Sequence, residues 1–338
     1  MTWDIDLINK KMLNIIQKLN IETNENIRLF LIYEYQMLFY LLKLDGRKET
    51  KRLNDLLFKT VKKEEVDESN IFINRIIDES NRKEKEMIES KIIYLFNLQK
   101  ELKIINFSNP HFLLTPRIKK NEYLEFIYPF LNDCCFPLNE TFESLKNGYI
   151  SFSNKKSDSL GKAISSLNGT DTYIYVYKPV NNPLTLVHEL THAYEFEDVI
   201  ENKLPYMSSP FCETFANLTE LLFSDYYLDT KYNKIAINSF YSFLIETYFL
   251  NSNLKKLLYK KQEKNYGYLS VYLSRLLAIH LYYLYLNSQS KFEISINELR
   301  NTLLKNPTET WNLVNFDELL ESYYNIANHY NKCLTKKC

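Results

Sequence analysis

The chain has 338 residues, with 45% hydrophobic and 25% charged residues, which is a globular composition and excludes a disordered one. Lys+Arg and Asp+Glu both number 42, so the formal net charge is zero and a general nucleic-acid binder, which needs a basic face, is not expected. Only 5 Gly and 9 Pro punctuate this length, which predicts long helices with few tight turns.

From the N-terminus, Ile5, Ile8, Met12, Ile15 and Ile16 keep helical spacing. No apolar leader precedes them, so a cytoplasmic location is expected. The stretch Leu29–Leu44 reads as a buried helix, because Glu34 and Gln36 make it too polar to span a bilayer. Asp45-Gly46 is its expected stop, and Arg52–Lys62 and Ile71–Leu102 continue as helices with charged faces. The run Lys62-Lys63-Glu64-Glu65 is most simply a solvated surface. The character changes near Asn109-Pro110 and Thr115-Pro116, so a helical region over 1–112 and a second domain over 113–338 are expected. Five cysteines without C-x-x-C spacing make neither a disulfide framework nor a zinc ribbon, which suits reduced thiols.

Loops follow at Gly148–Lys156, Gly161 and Asn168-Gly169, and then Thr172–Lys178 is strongly β-prone. Its alternation puts Tyr173, Tyr175 and Tyr177 on one face and Ile174 and Val176 on the other. Asn182 suits an N-cap and Pro183 a first helical position, so Leu184–Tyr194 should be a helix. Within it stands His188-Glu189-Leu-Thr-His192. Histidines four apart lie about one turn apart on one helical face, where both imidazoles can bind one Zn²⁺. Glu189 is angled away from the ion and can serve as general base towards a water.

A catalytic zinc needs a third protein ligand and an open position. Ser209-Pro210 signals a new helix, and Glu213 near its start is the candidate. Glu213, Asn217, Glu220 and Ser224 form a polar stripe among apolar residues. That pattern suits Glu213 as ligand and Glu220 or Asn217 as an outer partner of an imidazole. His280 sits in a Leu/Tyr-rich helix and reads as a packed residue rather than a ligand.

These segments together resemble the oligoendopeptidase F and thimet oligopeptidase family of zinc metallopeptidases, over roughly Tyr149–Tyr283. Asn154–Ala163 resembles the family's Gly-containing loop, Thr172–Lys178 its strand beside the substrate, and Thr185–Ala193 its active-site helix. Phe211–Glu220 resembles its second helix, with two glutamates seven apart. Asn265–Ser270 resembles its Tyr-rich helix. Two departures stand out. Thr191 occupies the usual Gly position, and Leu257–Lys264 lacks the His that normally precedes the tyrosines.

The resemblance implies a mainly α, zincin-like fold with a small β-sheet next to the H-E-x-x-H helix. It implies Tyr268 or Tyr266 as hydrogen-bond donor to the oxyanion, and Tyr173, Ile174, Tyr175, Val176 and Tyr177 as the strand that pairs with an extended peptide. The expected activity is zinc-dependent hydrolysis of short unfolded peptides by a monomer, with no nucleic-acid or membrane partner. The absent His keeps a second reading open: a peptide-binding protein on the same scaffold with weak or no turnover.

Overall fold

A computed structural model describes residues 2–44, 50–75, 82, 118–154, 160–165, 171–201, 212–259, 264–305 and 314–337. Side chains at 50, 51, 197–201, 212, 251–259, 264–270, 303–305 and 331–337 lie outside that description. The chain is mainly α-helical, with one three-stranded sheet among the described residues, beside the helix that carries H-E-x-x-H. It divides into two compact units, residues 1–80 with 136–206 and residues 81–135 with 207–338.

The first unit opens with α1 (Ile5–Ile21), α2 (Glu25–Leu44), α3 (Thr50–Thr60) and α4 (63–75). Asp4 caps α1 by accepting from the amide of Leu7 at 3.0 Å, and Asn24 caps α2 by accepting from Ile27 at 3.2 Å. Each cap satisfies an amide that has no partner within its own helix. Ile8, Met12, Ile15 and Leu19 line the inner face of α1 at the spacing expected from the sequence. They pack with Ile32, Tyr35 and Leu42 of α2 and with Leu53 and Leu57 of α3. The expected stop at Asp45-Gly46 falls just past the end of α2, outside the described residues, as does most of Ile71–Leu102.

The short helix α5 (Tyr123–Asp133) belongs to the second unit, and the chain returns to the first with α6 (Leu138–Leu145). The sheet follows: β1 (Ile150–Ser153), β2 (Gly161–Ser165) and β3 (Thr172–Tyr177), in spatial order β1-β3-β2. Strand β3 is parallel to β1 and antiparallel to β2. Its register with β2 pairs Gly161 with Val176, Ala163 with Ile174, Lys162 with Tyr175 and Ile164 with Tyr173. Directly paired residues point to the same side of a sheet. Tyr173, Tyr175 and Ile164 therefore share the face that joins the α1–α3 core, while Gly161, Ala163, Ile174 and Val176 face the other way.

Helix α7 (Leu184–Glu201) packs on β2 and β3. Its residues Thr185 and Glu189 lie beside Gly161, so it covers the Ile174/Val176 face. The turn between β3 and α7 is tight. Lys178 adopts φ 44°, a left-handed conformation that costs a non-Gly residue about 1–2 kcal/mol. The N-terminal segment is tied to the same sheet: the Trp3 indole donates to the carbonyl of Ile174 at 3.2 Å, and the Asp4 amide to that of Gly148 at 2.8 Å.

The second unit holds α5, α8 (Cys212–Tyr226), α9 (Asn233–Tyr259), α10 (Lys264–Asn287), α11 (Gln289–Lys305) and α12 (Phe316–Lys337). Helix α10 is its axis and packs against α8, α9, α11 and α12. Phe126 and Phe130 of α5 meet Phe223 of α8 edge to face at 5.6 and 5.0 Å. Phe240 of α9 stacks on Tyr330 of α12 at 4.4 Å. Such offset and edge contacts are the geometries that aromatic quadrupoles favour. Cys134 and Cys135, past the end of α5, are not in disulfides. No helix among the described residues is long and apolar enough to cross a membrane.

Candidate metal centre

Helix α7 positions the histidine pair. Leu186, Val187, Leu190 and Ala193 are fully buried and fix which side of the helix faces inward. Thr191, where the resembled family has Gly, is also fully buried, and its hydroxyl donates back to the carbonyl of Val187 at 2.9 Å. That local bond gives the buried hydroxyl a backbone acceptor one turn back on its own helix. The anchored helix leaves His188 and His192 half-buried on one side, with ring centroids 4.8 Å apart and planes at 80°.

The two Nε2 atoms face each other at 3.1 Å. Two nitrogens that each stand roughly 2.0–2.1 Å from one tetrahedral zinc are about 3.3 Å apart, so the pair fits a shared ion closely. The Nδ1 atom of His192 stands 3.3 Å from a carboxylate oxygen of Glu195. An ionised carboxylate can only accept, so the tautomer that suits this contact has its proton on Nδ1 and its Nε2 lone pair towards His188. A cation between the two nitrogens is what such an arrangement accommodates. Donor atoms of His188, His192 and Glu213 all lie within 4.8 Å of one another, a set chemically suited to Zn²⁺.

Glu189 is 7% exposed, buried without belonging to that donor set. Its carboxylate lies against β2 at Gly161, where an added Cβ would stand 2.5 Å from Oε1. Glycine here is a requirement of close approach rather than of backbone conformation.

Other expected site residues fall differently. Strand β3 is the central strand, and both of its edges are already paired. A peptide cannot add to it, because β-augmentation needs an open edge. Tyr173, Ile174, Tyr175 and Val176 are also buried, two in the α1–α3 core and two towards α7, so these side chains do not line a substrate groove; Tyr177 is half-buried at the strand end. Asn217 is buried, and its amide donates to Ser274 of α10 at 3.1 Å, which ties two helices together and is not a bond to an imidazole. Glu220 is half-buried on α8, two turns beyond Glu213. Tyr266 and Tyr268 lie in the first turns of α10, and their side chains are outside the described residues. His280 is a packed histidine, with Nδ1 2.9 Å from the Ser322 hydroxyl.

Glu195 stands at the His192 imidazole although the motif itself does not include it. Its signal was available, since a residue three past His192 shares a helical face with it, but the H-E-x-x-H pattern stops at the second histidine.

No protein-family model matches this chain, and no curated protein matches it. In three dimensions it is similar to a solved structure of a candidate oligoendopeptidase F from Bacillus anthracis str. Ames. The TM-score is 0.48, with 14% sequence identity over 97% of this chain and 75% of the other.

Proposed function

We propose that this chain is a zinc-dependent peptidase acting on short, extended peptides. The observation that carries the reading is the facing Nε2 pair of His188 and His192 at 3.1 Å, with buried Glu189 on the turn between them. His188 and His192 would hold the ion with Glu213 as third protein ligand, and Glu220 is proposed as an outer support of that set. When bound, Zn²⁺ supplies Lewis acidity that polarises a scissile carbonyl and acidifies water.

The chain's own groups do the rest. Glu189 takes the proton of the attacking water and returns it to the leaving amine. Its burial keeps the carboxylate in a site poor in competing solvent. The sheet edge next to Glu189 is β2, so an extended peptide is proposed to pair along Gly161–Ser165. Backbone pairing places few demands on side chains, which favours broad specificity. Tyr266 or Tyr268 is proposed to donate a hydrogen bond to the oxyanion.

The test compares wild type with Glu189→Gln on internally quenched peptides, with zinc content measured on the same preparations. The expected result is one zinc per chain in both, with turnover in the variant reduced about 10²- to 10⁴-fold, the usual range for a general base. Equal turnover in the two proteins, or less than half an equivalent of zinc in wild type, would refute the proposal. Bound zinc with turnover near zero in both would favour the peptide-binding reading.

A further inference from the structure

We infer that Glu195 is a positioning residue of the metal centre, acting through His192 to set its tautomer and hold its ring; the inference rests on the zinc reading above. Three observations converge on it. The carboxylate Oε2 lies 3.3 Å from Nδ1 of His192, on the side of the ring away from the nitrogen that faces His188. Both partners are sheltered, with side chains 13% and 20% exposed, so water competes poorly for the bond. Phe196 lies beside the same imidazole, with planes at 26° and centroids 6.4 Å apart, so an aromatic neighbour from the same helix flanks the ring.

The chemistry follows from the donor inventory of histidine. A neutral imidazole has a single N–H, and whichever nitrogen carries it cannot bind a metal. Without a partner at Nδ1 the two tautomers compete, and a share of the population presents N–H towards His188. An acceptor at Nδ1 removes that share and raises the basicity of Nε2. The i, i+3 spacing on α7 supplies this acceptor from the same helix.

The experiment measures zinc affinity of the full chain by competition with a chromophoric chelator, together with the thermal midpoint of the metal-free protein. Glu195→Ala is expected to weaken zinc about 10- to 100-fold, the usual effect of losing such a partner. The metal-free midpoint should stay within a degree or two of wild type, which a merely structural role would not allow. Glu195→Gln, which keeps an acceptor oxygen but loses the charge, should fall between the two. The Co²⁺-loaded proteins supply a spectroscopic check, because the ligand-field bands of Glu195→Ala should change in position or intensity. Wild-type zinc affinity in Glu195→Ala would overturn the inference and leave the zinc reading standing. Should that variant fold poorly, wild-type affinity in Glu195→Gln together with unchanged Co²⁺ bands would overturn it equally. Failure of wild type itself to bind zinc would overturn both.

Discussion

A Cβ built at Gly161 would stand 2.3 Å from Cγ2 of Thr185, 2.5 Å from Oε1 of Glu189 and 2.8 Å from Cγ of Glu189. All three distances are shorter than any real contact of a Cβ. Thr185 is stiff at χ1 and buried, so β2 must shift away from it, and the Glu189 carboxylate must give way as well. A displacement of about 1 Å in a reacting group can cost roughly 10² in rate. Gly161→Ala is therefore expected to lower kcat/KM on a quenched peptide by about two orders of magnitude. Zinc affinity should remain unchanged, because neither histidine is touched. Retained turnover in a folded Gly161→Ala protein would show that Glu189 has no need of its observed place. The importance of residue 161 could be read from the chain only as a loop glycine. The reason for it appears only once the strand register brings that glycine opposite Val176 and under α7.

At the scale of elements, what could be read from the chain follows the range of the interaction. The α7 segment was legible because a cap, a proline and a four-residue histidine spacing are all local. Strand β3 was equally legible as a strand, and its two faces were sorted correctly by alternation. Its place in the sheet was not, since a period of two says nothing about which strands lie on either side. Nor does alternation say what each face meets, and the tyrosine face is covered by α1–α3. For α8 the polar spacing was real, but Asn217 answers to Ser274, 57 residues away, a pairing no local pattern reveals.

His280 shows the same long-range dependence and offers a measurement. Burial holds its pKa below the ordinary histidine value, partly offset by Glu318, whose carboxylate lies 3.9 Å from Nε2. The neutral ring, bonded to Ser322, is thus the form that folding favours. In the unfolded chain the group titrates near 6.5. The stabilisation is fully present above that pH and is lost as the pH falls towards the depressed folded value, because the unfolded state takes up the proton first. The slope contributed by one such group is at most about 1.4 kcal/mol per pH unit. Urea midpoints at pH 7.5 and 5.5 should therefore drop more in wild type than in His280→Gln, which keeps a polar partner for Ser322 but does not titrate. An equal drop in both proteins would exclude His280 as a source of acid sensitivity.

For the whole molecule, a ligand that binds only the folded chain adds stability by mass action. At a free zinc concentration one hundred times Kd the gain is about 2.7 kcal/mol. A chain of 338 residues has an unfolding entropy of roughly 0.7 kcal/mol per degree on the usual per-residue scale, so the apparent thermal midpoint should rise by about 4 °C. The pattern across variants carries more information than the rise itself. His188→Ala/His192→Ala should show no zinc-dependent rise, because the donor pair is gone. Glu189→Gln should show the full rise, because its carboxylate stands outside the donor set formed by His188, His192 and Glu213. A rise that survives loss of both histidines would place zinc elsewhere on the chain. A rise that disappears in Glu189→Gln would make that carboxylate a ligand, and a carboxylate that holds the metal is not free to take a proton from water. Scanning calorimetry of the three proteins, each with zinc and with excess chelator, thus separates the group that binds the ion from the group that moves the proton without any assay of turnover.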